Sequence, residues 1–202
     1  MAESKKTVRF NVSRIVFAVV KEDTKSTFTH TEIEDLADPM QVQLTYTLAS
    51  GVVYGAGVKK FSKTKITGIT LQLDLNKVAI EKRAKIFGHK IENGVLKVNK
   101  EDQARKIAIG YELEAASDGA DTRELEWLYK GDPQPFGKST QQTTDNFNFS
   151  TDTMTINFVP RELDGDFKSE GDTAYPDFTE AAADAFLDTI PGGTLVTETE
   201  GG

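Results

Sequence analysis

The stretch Gln41-Val42-Gln43-Leu44-Thr45-Tyr46-Thr47-Leu48 decides how this chain is read. Apolar residues stand at 42, 44, 46 and 48, and polar ones at 41, 43, 45 and 47. Successive side chains of a strand point to opposite faces, so this period of two marks a strand with one face on a core and the other in water.

The same period recurs on both sides of it. Upstream, Val8, Phe10 and Val12 alternate with Arg9 and Asn11, and Ile15, Phe17 and Val19 follow. Downstream, Ala49-Ser50-Gly51 reads as a turn, after which Val52-Val53-Tyr54 resumes extended structure. Ile69, Leu71, Leu73 and Leu75 share one face of a longer strand from Ile66, and Ile107, Ile109, Tyr111 and Leu113 one face of another. Leu125, Trp127 and Tyr129 alternate within a strand that pairs naturally with the latter. Phe147 and Phe149, then Met154, Ile156 and Phe158, predict a hairpin turning at Ser150-Thr151-Asp152. Asn93-Gly94 and Ser117-Asp118-Gly119 are tight-turn sequences, because Asn, Asp and Gly accept positive φ. The chain is predicted to be mainly β.

Two helices interrupt this pattern. Lys77 to Phe87 follows Asn76 as N-cap and ends at Gly88. A second, Phe178 to Leu187, has a capping box of Asp177 and Glu180 and an apolar stripe of Phe178, Ala182, Ala185 and Phe186. Pro191-Gly192-Gly193 stops it. The predicted organisation is a β domain over 1–175, a C-terminal helix over 176–190 and a disordered tail over 191–202.

Composition narrows the chemistry. The 202 residues are 38% hydrophobic and 28% charged, enough for one folded domain. No apolar run approaches the ~18 residues of a membrane span, and no signal peptide is expected. With no Cys, thiolate nucleophiles and disulfides are excluded, and only two His, at 30 and 89, remain for metal or acid–base work. Residues 1–110 carry 19 Lys and Arg against 12 Asp and Glu, and residues 111–202 carry 5 against 20. This imbalance reads either as two differently solvated surfaces or as a basic and an acidic part suited to meeting copies of the chain head to tail. A net charge of −8 argues against tight nucleic-acid binding.

No motif supports an enzyme. Gly55-Ala56-Gly57-Val58-Lys59-Lys60 begins like a dinucleotide fingerprint, but its sixth position is Lys and a strand follows, so a hairpin edge is the expectation. Asp166 to Asp177 has calcium-loop spacing, but Lys168 sits where an oxygen ligand is needed; an acidic surface loop is expected. His30 and His89 read as strand-end and helix-end residues. Glu112/Glu114 and Glu124/Glu126 sit at strand spacing and read as a solvated acidic sheet face rather than a glycosidase dyad. Asn11-Val12-Ser13 and Asn148-Phe149-Ser150 have the form of glycosylation sequons only. No catalytic residue, cofactor or metal is expected.

The order of features carries a resemblance. A strand ending in Leu73-Asp74-Leu75 runs through Asn76-Lys77-Val78-Ala79-Ile80 into a helix closing with Ile86-Phe87-Gly88-His89-Lys90. A Glu-Asn-Gly-Val hairpin, the strand Ala108-Ile109-Gly110-Tyr111, Glu126-Trp127-Leu128-Tyr129-Lys130-Gly131, a Thr-rich stretch at 139–144 and Asn157-Phe158-Val159-Pro160-Arg161 follow. This succession, over roughly three quarters of the chain, resembles the major tail proteins of siphophages infecting Gram-positive bacteria.

The resemblance implies a tail-tube-type β-sandwich or half-barrel with a flanking α-helix. Six subunits would close a β-barrel on ring formation, and rings would stack into a tube. Its partners would be further copies of itself, a tape-measure protein, and tail initiator and terminator proteins. DNA would pass through the lumen without specific binding, no membrane would be involved, and the location would be the virion tail, assembled in the host bacterial cytoplasm.

Assembly is expected at the hairpin Val42–Tyr54 (Val52, Val53, Tyr54), at a Lys-rich loop (Lys59, Lys60, Lys63, Lys65) and at the loop 131–144 with Phe136. Phe178 and Phe186 are expected to dock the C-terminal helix on its own or a neighbouring subunit. The Lys-rich loop reads either as an inter-ring arm seeking an acidic patch or as a solvated basic loop. Two other readings stay open: a tube protein of a contractile injection or secretion system, and a carbohydrate-binding β-sandwich module.

Overall fold

The computed structural model describes residues 7–56, 58–139 and 151–197. Thirteen strands and two short helices follow one another as β1 (Thr7–Asp23), β2 (Phe28–His30), β3 (Glu34–Asp35), β4 (Pro39–Gly55), β5 (Val58–Leu75), α1 (Ile80–Phe87), β6 (Lys90–Glu92), β7 (Val95–Lys97), β8 (Ile107–Ser117), β9 (Ala120–Pro133), β10 (Gly137–Ser139), β11 (Thr151–Val159), β12 (Lys168–Asp172), α2 (Glu180–Phe186) and β13 (Thr194–Leu195). The main sheet runs β13-β2-β1-β8-β9-β11-β5-β4, and β3, β10 and β12 pair with β1, β11 and β9 off this path. The sheet is open: β4 and β1 are not hydrogen-bonded to each other. The mainly β reading with a flanking helix therefore holds.

Both faces of the central strands are covered. Ile15, Phe17 and Val19 of β1 join Ile69, Leu71, Leu73, Ile109, Met154 and Ile156 in a first core, which α1 closes with Ile86 and Phe87. Val16 and Ala18, alternating with them, enter a second core with Leu125, Trp127 and Tyr129, beneath Ala183 and Leu187. Burial on two sides explains why Ile15 to Val19 reads as a continuous apolar run instead of an alternation. Gly110 lies between these layers; a Cβ there would meet Leu187, Val16 and Trp127 at 2.9–3.0 Å.

The two predicted tight turns form as read. Asn93 and Gly94 have φ of 51 and 76°, and Asp118 and Gly119 of 53 and 84°, the paired positive angles of two-residue hairpins. Several other expectations are corrected. Ala49-Ser50-Gly51 is not a turn, because β4 runs straight through it and Gly51 pairs with Lys63. Thr151 and Asp152 belong to β11 and pair with Ser139 and Lys138, so no turn lies there; Phe147 and Phe149 lie outside the described residues.

Helix α1 starts at Ile80 with Ala79 in the cap position and no side-chain cap, rather than at Lys77 behind Asn76. The reason is long-range: Asp152 accepts the Val78 N–H at 3.0 Å and holds this segment extended. Gly88 closes the helix at φ 70°, as expected. Helix α2 is capped by Thr179, which accepts from the Ala182 N–H, and not by an Asp177 box. Ala183 is its buried residue, whereas Ala182 and Ala185 are exposed, so the expected stripe is rotated.

The segment 191–197, expected to be disordered, is held in place. Thr194 and Leu195 pair in parallel with Thr29 and His30. Arg161, itself buried, donates to the Pro191 carbonyl at 2.6 Å and grips Asp164 through Nε at 2.8 Å and Nη2 at 2.5 Å. Its guanidinium carbon lies 3.7 Å from the centre of the Tyr129 ring, a stacked cation–π contact. Residues 198–202 lie outside the described residues. The span 166–177 is likewise not a free loop, since β12 within it pairs with β9.

Candidate assembly surface

From Leu48 outward, β4 and β5 leave the body as a two-stranded arm. The pairing continues from Leu48 opposite Ile66 to Gly55 opposite Val58. At ~3.3 Å per residue this is a reach of about 25 Å. β11 pairs with β5 only from Ile69 to Leu75, so among the described residues no third strand supports the arm. Two kinks mark it. Thr67 is an extra residue at its base, where its hydroxyl donates to the Thr47 carbonyl at 3.2 Å. Lys60 is an extra residue near the tip.

This placement corrects the expected Lys-rich loop. Lys59, Lys60, Lys63 and Lys65 all lie on strand β5, opposite the β4 residues that include Val52, Val53 and Tyr54. Val and Tyr on one strand and Val58, Phe61 and Ile66 on the other favour a pleated backbone, which is why the ribbon forms without a core beneath it. An isolated two-stranded ribbon is marginal in water, and Tyr54 at 68% and Phe61 at 59% exposure leave much apolar area wet. Between Pro39 and Leu75 the chain has four lysines and one acid, Asp74 at the far end, so the arm itself is uniformly basic.

The two sides of the arm differ. In β4 no extra residue intervenes between Val42 and Tyr54, so Val42, Leu44, Tyr46, Leu48, Val52 and Tyr54 lie on one face. That row starts in the first core and runs out along the arm, joined there by Ile66. The other side holds Ala49, Gly51 and Val53 against Lys65, Lys63 and Phe61. An apolar row continuing past the edge of its own core is what a surface covered by another molecule looks like.

Between the base of the arm and β1 lies a cavity of about 650 Å³. Phe10, Val12, Met40, Val42, Leu44 and Leu113 form its apolar walls, and Arg9, Tyr111, Glu126, Lys168 and Glu170 its polar side. Arg9 pairs with Glu124 at 2.5 Å, and Lys168 bridges Glu126 and Glu170 at 2.8 Å each. Burial works against the Lys168 ammonium, but hydrogen bonds to the two carboxylates outweigh it and raise its pKa. Burial, reinforced by the neighbouring Glu126 charge, pushes the Tyr111 phenol well above its ordinary value. The solvated acidic face expected at Glu124 and Glu126 is thus corrected: both are buried, because bases from β1 and β12 cover them.

The remaining residues singled out in the sequence have roles within the chain. Phe136 is half-buried, edge-on to Phe87 at 5.6 Å and under Arg83 at 5.1 Å, so it packs internally rather than facing out. Phe178 and Phe186 meet edge to face at 5.5 Å and dock α2 on its own chain. Gly131 to Pro133 belong to β9, and residues 140–144 lie outside the described residues. His30 ends β2, and His89 follows α1, where it bonds Asp102 at 2.8 Å. The Asn99 N–H and then His89 hold the Asp102 carboxyl below its ordinary range.

The basic and acidic halves are interleaved, since β1 lies beside β8 and β5 beside β11. Arg9–Glu124 and Arg14–Asp188 join the two directly. Among the described residues no group of three or more His, Asp or Glu could hold a metal ion, and no helix is long and apolar enough to cross a membrane. No protein-family model matches this sequence, and no curated protein matches it.

Proposed function

We propose that this chain is a structural subunit that assembles with copies of itself, and that the assembly is a phage tail tube of stacked, six-membered rings serving as a conduit for DNA ejection. The observation that carries this reading is the arm: about 25 Å of two-stranded ribbon with apolar residues exposed on both sides and no core beneath it. A surface of that kind is stable in water only when something covers it.

Two further features support the reading. Two strands of the sheet have edges unpaired among the described residues, β4 along its length and β1 from Thr7 to Arg14. Open edges pair with other chains, and rings of subunits remove them by closing a barrel. The resemblance in order of elements supplies the specific class, with the tape-measure, initiator and terminator proteins as partners and the virion tail as location. On this reading the protein is not an enzyme and takes no cofactor.

The test is negative-stain electron microscopy of the purified protein over rising concentration, with size-exclusion chromatography alongside. Rings or hollow tubes are expected, with an initiator complex supplied if the protein stays monomeric. A monomer that fails to polymerise even then overturns the reading.

A further inference from the structure

The cavity between β1 and β4 is walled by two strands that each lack a partner on one side among the described residues. β1 pairs there with β8 alone, because β2 and β3 join it only from Val16 onward. β4, the last strand of the sheet, pairs with β5 alone. The cavity is therefore a seam, and its apolar wall passes without a break into the exposed row of the arm.

The structure assigns this seam as the seat for the arm of a second copy of the chain, an inference that rests on the self-assembly reading above. Three observations select that occupant. One wall of the seam is apolar, and the tip of the arm presents Val52, Val53, Tyr54 and Phe61 with no buried position of its own. The charges are complementary: the arm carries four lysines, whereas the hairpin beside the seam, Tyr111 to Glu126, carries six acids and one arginine. That arginine, Arg123, is already engaged by Glu112, Glu180 and Asp184, and Arg9 and Lys168 are engaged by Glu124, Glu126 and Glu170. Three of the six acids are taken up in these pairs, and Glu114 and Asp121 are left with no Lys or Arg partner among the described residues, to meet an arm whose lysines likewise pair with no acid there. Finally, arm and seat are different surfaces of one molecule, so a copy that fills its neighbour's seat still offers its own.

The native chain has no Cys, which makes the test direct. In a Tyr54→Cys/Met40→Cys variant the two positions lie 14 residues apart on the same strand, about 46 Å. A disulfide within one chain is impossible at that distance, since the Cα atoms must approach to ~4.4–6.8 Å. Mild oxidation is expected to give a ladder of covalent multimers on denaturing gels, while Tyr54→Cys/Tyr175→Cys, whose exposed second position does not line the seam, gives none above background. The Met40→Cys single variant provides a second readout: its alkylation rate should fall about tenfold when the protein assembles.

Assembly without the cross-link and without protection at residue 40 overturns the seat and leaves the tail-tube reading standing. A cross-linked species that stops at a closed dimer keeps the seat and overturns the tube. A protein that neither assembles, with or without an initiator complex, nor cross-links overturns both.

Discussion

Trp127 donates its indole N–H to the Phe186 carbonyl at 2.8 Å, tying the last turn of α2 to the central sheet. The bond satisfies a carbonyl at a helix end that has no partner within the helix. A buried acceptor left unmet costs about 1–3 kcal/mol. Trp127→Phe keeps most of the apolar contact and removes only the donor and some volume. Its unfolding free energy from urea titration, followed by far-UV circular dichroism because Trp127 is the sole tryptophan, should fall by an amount in that range, with a lower midpoint. An unchanged midpoint would mean that water replaces the bond and that α2 is held by packing alone.

Gly131 tests the packing of β9 against β11. A Cβ at this position would lie 2.5 Å from Ile156 Cγ2 and 2.7 Å from Phe158 Cε1. Both neighbours are core side chains, so the overpacking in Gly131→Ala is expected to destabilise the fold by about 1–3 kcal/mol. Gly51→Ala is the matched control in the arm, where nothing lies within 4 Å of the added carbon. Thermal melts should separate the two variants clearly, and equal melting temperatures would contradict the packing described for Gly131.

These positions also mark where the sequence could be read and where it could not. The alternation at 42–48 and 69–75 is legible because one face of each segment meets a core and the other does not. The outer half of β4 is opaque for the opposite reason: neither face is buried, and the small residues Ala49-Ser50-Gly51 resemble a turn. The lysines on β5 stand out in the sequence, but whether they sit on a loop or a strand depends on pairing across a hairpin. Local rules also fail where the decisive partner is remote. Asp152 holds the Val78 N–H from 74 residues away, so the start of α1 could not be placed from Asn76. Glu124 and Glu126 look solvated in the chain and are buried in the fold, since Arg9 and Lys168 come from distant strands to cover them.

Arg161 and Asp164 give the C-terminal segment a pH dependence. The Arg161 guanidinium holds the Asp164 carboxyl below its ordinary value of 3.8. A carboxyl depressed in the folded state contributes stability that is fully present above the unfolded value and lost as pH falls through the folded one. The contribution should therefore be complete at neutral pH, begin to fall as pH approaches 3.8, and be lost only as pH drops through the lower folded value. Asp164→Asn is expected to lower the urea midpoint at pH 7, and the gap from the native protein should close as the solution is acidified past that point. A gap independent of pH would show that the carboxylate charge plays no part in anchoring the segment.

The arm lysines should separate folding from assembly. Lys59, Lys60, Lys63 and Lys65 are exposed, and none pairs with an acid among the described residues. Exposed substitutions away from packed or capped positions usually change stability by less than about 0.5 kcal/mol. Reversing all four to Glu should therefore leave the melting temperature close to that of the native chain. The same change turns a basic arm acidic, so it should sharply reduce the sedimenting fraction at low salt if the arm meets an acidic surface. Salt screens exposed charges over about 8–10 Å at physiological strength, so added salt should weaken native assembly and partly restore the reversed variant. A sedimentation yield that is the same for both proteins across the salt series would remove charge from the contact and leave its apolar row as the driving surface.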